Sequence, residues 1–292
     1  MEDLEQEENF LGEDERKNGV TYTEYVDLLP FEERTKDDHY CEALRYSSSD
    51  DWKEQFFATD LLRRLNKYEP ELIGEKSMEI FPFLDYCINS PRTCLGKNVL
   101  IFCQEIYMSD RPESLVEFTC SLLPFIITKI GFESTFLSTE SQFALQFCAA
   151  SMAYPQCIDV LCAHSDYKNN FIKNKVWEAL TICIQNLDPS YYTSEVNYPN
   201  LHCLETFLET ICKALVVSKS AEAKESTKML KFIGKETVQT LCDQIFDEDN
   251  KHKVERVMGI FAKKAKRSRF LKNKFKNLGG NKSKGDFVIC IK

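Results

Sequence analysis

Residues Ser47–Leu65 read SSSDDWKEQFFATDLLRRL, and the spacing inside this stretch decides the fold. Phe57, Leu61 and Leu65 recur at i, i+4 and i+8, which puts them on one face of an α-helix. Asp50 or Asp51 stands where a helix N-cap is expected, so the helix begins at about Trp52 or Lys53. Trp52 therefore falls at the loop-to-helix junction, not within the apolar stripe. Two placements are open. The ring either projects from an edge as an aromatic anchor or folds back as a staple over Phe56 or Phe57.

The same helical spacing recurs on both sides of Ser47–Leu65. Val99, Phe102, Cys103 and Ile106 keep it, as do Val176, Leu180, Cys183, Ile184 and Leu187, and Leu204, Phe207, Leu208, Ile211 and Leu215. Trp177 lies inside such a stripe and is expected in the core or between helices. Strand-like alternation and two-residue hairpin signals are scarce. The helices fall into pairs: 37–46 with the helix at Trp52, 69–88 with 94–108, 112–130 with 139–153, 155–164 with 172–187, 199–217 with 221–233, and 235–247 with 251–265. Successive second helices lie roughly 30–47 residues apart, the period of helix-pair repeats. The expectation is an all-α fold, an α-solenoid of about six HEAT-like pairs over residues 21–265. Pro82 and Pro124 fall within first helices, where they should kink the helix or shift its ends. Residues 21–34, TYTEYVDLLPFEER, carry an apolar patch expected to pack as an extra N-terminal segment.

Charge is unevenly placed. The formal net charge is −9, which counts against nucleic acid as the main partner. Residues 1–15 hold eight acidic groups, and 1–20 are expected to form an acidic disordered N-terminus. Residues 263–284 hold ten Lys or Arg and no acid, and 266–292 are expected to form a basic flexible tail. Its charges, Lys263, Lys264, Lys266, Arg267, Arg269, Lys272, Lys274 and Lys276, alternate with Phe270, Leu271 and Phe275. That pattern suits an acidic protein, an anionic lipid or RNA.

Thirteen cysteines without a C-x-x-C pair, many of them within apolar helical stripes, read as small buried hydrophobes in a reduced interior. Cys157, Cys162 and His164 lack a second pair of metal ligands at structural-site spacing. The acidic start has no apolar core, and no apolar run has the roughly 18–20 residues of a membrane span. An intracellular, cytoplasmic chain is expected. No phosphate loop, nucleophile elbow, zinc-protease motif or dinucleotide fingerprint occurs, so the reading expects no enzyme and no cofactor or metal.

The segment SSSDDWKEQFFATDLLRRLNKYEPEL resembles the opening repeat of a TOG domain, the tubulin-binding HEAT-repeat module. The likeness lies in an Asp-Trp at the first intra-repeat loop, followed by a charged amphipathic helix with Leu-Arg-x-Leu. INSPRTCLGKNVLIFCQEIY is similar to the second repeat, and SAEAKESTKMLKFIG resembles the late loop and helix. The resemblance covers about residues 37–265 and is nearest to the CLASP and crescerin class.

This resemblance implies binding of αβ-tubulin or the microtubule lattice by the row of intra-repeat loops, on the cytoskeleton, including that of a cilium or axoneme. Carried over by position, Trp52 is the apolar anchor. Arg92, Thr93 and Lys97 stand for the second loop, Lys173 and Lys175 for the fourth, and Lys219, Lys224 and Lys228 for the fifth. Two departures stand out. The third loop, GFESTFLSTESQ, has two glutamates and no basic residue, and SDYKNNFIKNK at 165–175 is long for a fourth loop. The alternative is a HEAT-like scaffold that has lost tubulin and holds another protein.

Overall fold

The computed structural model describes residues 20–31, 35–108, 115–193, 198–217 and 220–262. Among them there is no strand, and the fold is an all-α solenoid of paired helices. The helices are α1 (Lys36–Ser47), α2 (Trp52–Tyr68), α3 (Pro70–Asn89), α4 (Thr93–Tyr107), α5 (Val116–Ile130), α6 (Thr135–Ser151), α7 (Pro155–Ala163), α8 (Asn170–Asn186), α9 (Ser190–Thr193), α10 (Tyr198–Ala214), α11 (Ala221–Ile233) and α12 (Lys235–Ile245). Residues 251–262 form α13.

Local chemistry sets the ends of these helices. Thr35 and Asp38 make a reciprocal capping box at α1, and the Asp51 side chain accepts from Lys53 N–H at α2. Asn169 and Ser220 cap α8 and α11, and Pro70 and Pro155 open α3 and α7, where the missing N–H costs nothing. Pro82 and Pro124 remain inside α3 and α5, so neither helix ends at its proline. Helix α6 starts four residues before the expected position, and the short α9 was not foreshadowed by any periodicity.

Backbone contacts divide the chain after Phe207 into two compact units. In the first unit, α1 packs on α2, α3 on α4, α5 on α6 and α7 on α8. The second helices stack in one row, α2 on α4 on α6 on α8, while α3, α5 and α7 stack in the other. This double row is the solenoid principle, in which each pair buries its stripe against its neighbours. Leu61, Leu65, Val99, Phe102, Cys103, Ile106, Val176, Leu180, Cys183 and Ile184 are all buried between the rows. Phe57 is not: it is 43% exposed and meets Tyr46 edge-on. Trp177 is buried and its indole N–H donates to the Ser165 carbonyl at 3.0 Å.

An N-terminal strap, residues 20–31, lies on α2 and α4 of the second-helix row. Lys67 Nζ donates to the carbonyls of Val26 at 3.0 Å and Leu28 at 2.8 Å. Arg64 reaches those of Leu29 and Pro30, both at 3.1 Å. Phe31 stacks on His39 of α1.

In the second unit, Leu208, Ile211 and Cys212 of α10 are buried, as are Met229 and Leu230 of α11, Val238, Leu241 and Cys242 of α12, and Val257 of α13. Lys253 pairs with Glu209 at 2.9 Å, and Arg256 donates to the Cys212 carbonyl. Gly234 alone separates α11 from α12. Its φ of 95° is a conformation in which a side chain would be strained, so glycine allows two helices to meet without a linker.

Candidate functional site

The helix starts of the first unit share one edge. Trp52 opens α2, Arg92 is the N-cap of α4, and the Arg92 guanidinium carbon lies 4.9 Å from the Trp52 ring centroid. Tyr22 of the strap ties the start of α6 to those of α2 and α4: its ring meets Phe56 and Phe136 edge-on, and its hydroxyl donates to the Cys94 carbonyl. Gly131, between α5 and α6, lies so close to Ile172 of α8 that a Cβ there would stand 2.6 Å from Ile172 Cδ1. The loops 48–51, 90–92, 131–134 and 164–169 therefore line one margin of this unit.

Trp52 is half-buried and covered on one face by Arg92. A cation over an indole face keeps both groups ordered while leaving the rest of the ring and the guanidinium N–H groups available. Arg92 and Thr93 are exposed beside it.

Lys97 is turned inward. Its ammonium lies 4.2 Å from the Tyr22 ring centroid, 4.0 Å from that of Phe136 and 3.8 Å from Glu140 Oε1. Gln104 holds the other Glu140 oxygen at 2.8 Å. One of the two acidic residues noted near the third loop is thus on α6, matched by Lys97, while Glu133 remains exposed. Lys175 pairs with Glu178 at 2.8 Å, and Lys173 is half-buried. In the second unit, Lys228 pairs with Glu225 at 2.6 Å and Lys224 is exposed. Lys219 and the tail cations Lys263, Lys264, Lys266, Arg267, Arg269, Lys272, Lys274 and Lys276 lie outside the described residues, as do residues 1–19.

Beneath the edge is a buried ionic network that sequence reading missed. Arg63, 1% exposed, reaches Glu105 through Nε at 2.9 Å and through a terminal nitrogen at 2.6 Å. It also contacts Asn98 at 3.2 Å, Asp60 at 3.4 Å and the Thr23 carbonyl of the strap at 2.6 Å. Asn98 donates to Asp60 and to the Phe56 carbonyl. Burial pushes the Asp60 carboxyl up to about 6, despite the nearby Arg63 charge and the Asn98 hydrogen bond. Burial also raises Glu105. The network locks α2, α4 and the strap together, and so fixes the positions of Trp52 and Arg92.

A second unforeseen feature is aromatic. Phe136, Phe143 and Phe147 of α6 are 40%, 47% and 38% exposed. Their i, i+7, i+11 spacing puts them in one outward stripe. The spacing is visible in the sequence, but nothing there tells an outward stripe from a buried one. Among the described residues, no group of three or more His, Cys, Asp or Glu is arranged to hold a metal ion, and no helix is long and apolar enough to cross a membrane.

No known family profile matches the sequence, and no curated protein matches it. Among solved structures, an engineered protein is similar at 14% identity and a TM-score of 0.37, covering 77% of this chain and 97% of its own. A designed armadillo repeat protein follows at 14% identity and a TM-score of 0.34, covering 75% and 98%. Another, in complex with the peptide (KR)4, has 13% identity and a TM-score of 0.33, with 75% and 98% covered. At these values the likeness says nothing about what this chain binds.

Proposed function

We propose that this solenoid is a non-catalytic, TOG-like module that binds αβ-tubulin or the microtubule lattice through the helix-start edge of its first unit. It would stabilise or locally regulate microtubules, including those of a cilium or axoneme. The observation that carries this reading is the Trp52–Arg92 pair, an aromatic anchor and an exposed cation ordered together on the loop edge. Thr93 lies within the same patch. Lys97 supports it from within by holding Tyr22 and Phe136 in place. Lys173, Lys175, Lys219, Lys224, Lys228 and the basic tail add positive charge toward an acidic partner, an attraction that falls with salt.

The test is binding of the full chain to unpolymerised αβ-tubulin and to microtubules at low salt. Trp52→Ala and Arg92→Ala should each weaken binding by about tenfold or more, as expected of an interface anchor. Retained binding by both folded variants would remove the edge from the proposal. Absence of binding by the parent would remove tubulin.

A second reading, a scaffold for another protein, is favoured by a different observation. The second-helix row already holds an extended segment on α2 and α4, and α6 in the same row carries three exposed phenylalanines. Proximity labelling in cells, comparing the parent with a Phe143→Ser/Phe147→Ser double variant, tests it. An unchanged set of labelled neighbours would count against it.

A further inference from the structure

Two thiols face each other across the first-helix row. Cys120 lies in α5 and Cys157 in the first turn of α7, and their sulfurs are 3.9 Å apart. The helices that carry them pack directly on one another. Cys157 is 1% exposed, whereas Cys120 is only half-buried, so one sulfur is open to a small reagent and the other is shielded. From this geometry we infer that Cys120 and Cys157 are an oxidisable dithiol, with Cys120 attacking and Cys157 resolving, which closes a reversible disulfide between adjacent helix pairs.

The physical case rests on approach and asymmetry. A disulfide needs sulfurs about 2.05 Å apart, so closing the bond requires about 2 Å of approach, within reach of side-chain rotation and a small helix shift. The thiolate is the reactive form; the hydrogen bond with Cys157 favours it at Cys120, while burial and the Asp159 carboxylate on α7 oppose it. The Cys157 S–H hydrogen bond holds the Cys120 thiol below its ordinary range; the same pairing, together with burial, pushes Cys157 well above its own. The half-buried Cys120 is therefore the sulfur that an oxidant reaches first, and the shielded Cys157 is the one that follows.

With hydrogen peroxide as oxidant the steps balance. The Cys120 thiolate takes one peroxide oxygen and releases hydroxide, giving a sulfenic acid. The Cys157 sulfur attacks that sulfur; the S–S bond forms, the S–O bond breaks, and the departing hydroxyl leaves as water with the Cys157 proton. In total, two thiols and one peroxide become one disulfide and two waters. A thiol reductant reverses the change.

The consequence is a staple between the third and fourth helix pairs that closes a loop of 37 residues in sequence separation. Restricting the unfolded chain in this way should raise the thermal midpoint by on the order of 5–10 °C.

The experiment exposes the reduced full-length chain to hydrogen peroxide, blocks remaining thiols by alkylation and maps cross-linked peptides without reduction. The expected product is a Cys120–Cys157 peptide pair that disappears on treatment with a thiol reductant. In Cys157→Ala, Cys120 should accumulate as a sulfenic acid trapped by dimedone. In Cys120→Ala, Cys157 should stay reduced. Recovery of both residues as free thiols while exposed Cys41 is oxidised would overturn the inference, as would a cross-link from Cys120 to Cys203 instead. The parent chain alone decides between these outcomes, so a variant that folds poorly does not rescue the idea.

Discussion

The second-helix row of the first unit has a covered part and a bare part. Over α2 and α4, the strap supplies carbonyls to Arg63, Arg64 and Lys67, and its Tyr22 closes over Lys97. On α6, Phe143 and Phe147 stay 47% and 38% exposed. The covered part meets the strap with cations, and the bare part carries half-exposed aromatics. In one, the chain itself satisfies groups too costly to bury unpaired; in the other, it leaves apolar area in water. The difference teaches where this solenoid spends contacts on its own integrity and where it has contacts left to offer.

The largest expected effect breaks the covered part. Arg63→Ala leaves the Glu105 carboxylate buried without its guanidinium and frees the Thr23 carbonyl. Stability should fall by about 3–5 kcal/mol, the usual cost of orphaning a buried charge, as read from a urea midpoint. A loss below about 1 kcal/mol would mean that the network is open to water.

Acidity probes the same network. The Asp60 carboxyl is raised in the folded state, to about 6 from 3.8. The folded chain therefore holds a proton that the unfolded chain has released, and this contribution to stability is lost as pH rises through about 6. Asp60→Asn should remove about 2 kcal/mol of decline between pH 4 and pH 7, since each pKa unit is about 1.4 kcal/mol. Thermal midpoints of parent and variant across that range are the check, and parallel curves would show that Asp60 is not the titrating group.

Tyr22→Ala sharpens the boundary between the two parts. It removes one of the two rings around Lys97 and the contact with Phe136. The expected loss is about 1–2 kcal/mol, with faster amide exchange in the strap. At the bare end, Phe143→Ser/Phe147→Ser should cost about 1 kcal/mol per site, less than truncating a fully buried ring, because the two phenylalanines are already 47% and 38% exposed. A larger loss would mean that another part of the chain covers them.

The helices of this fold were legible because each stripe announces itself within one helix: Val99 to Ile106 and Val176 to Ile184 need no knowledge of their neighbours. Trp52 was also legible as the first residue of α2, since the Asp51 cap precedes it. The partners of charged residues were not. Arg63 stands in LLRRL, a stretch that reads as a charged amphipathic helix, yet its carboxylate partner Glu105 is 42 residues away and becomes adjacent only when α2 stacks on α4. Lys97 looked like a loop cation for the same reason: its cage is assembled from the strap, α4 and α6. Pattern within a helix reports which face is apolar. It does not report which charge on the polar face will be covered by the next repeat.

The hydrogen bond from Arg63 to the Thr23 carbonyl also has a meaning in time. During synthesis the strap emerges from the ribosome before α2 and α4, but the site that grips it includes Arg63 on α2 and is completed only by Asn98 and Glu105 on α4. The strap must therefore wait for a much later segment, and until then a nascent chain offers the apolar Leu28, buried in the folded chain, to whatever is near.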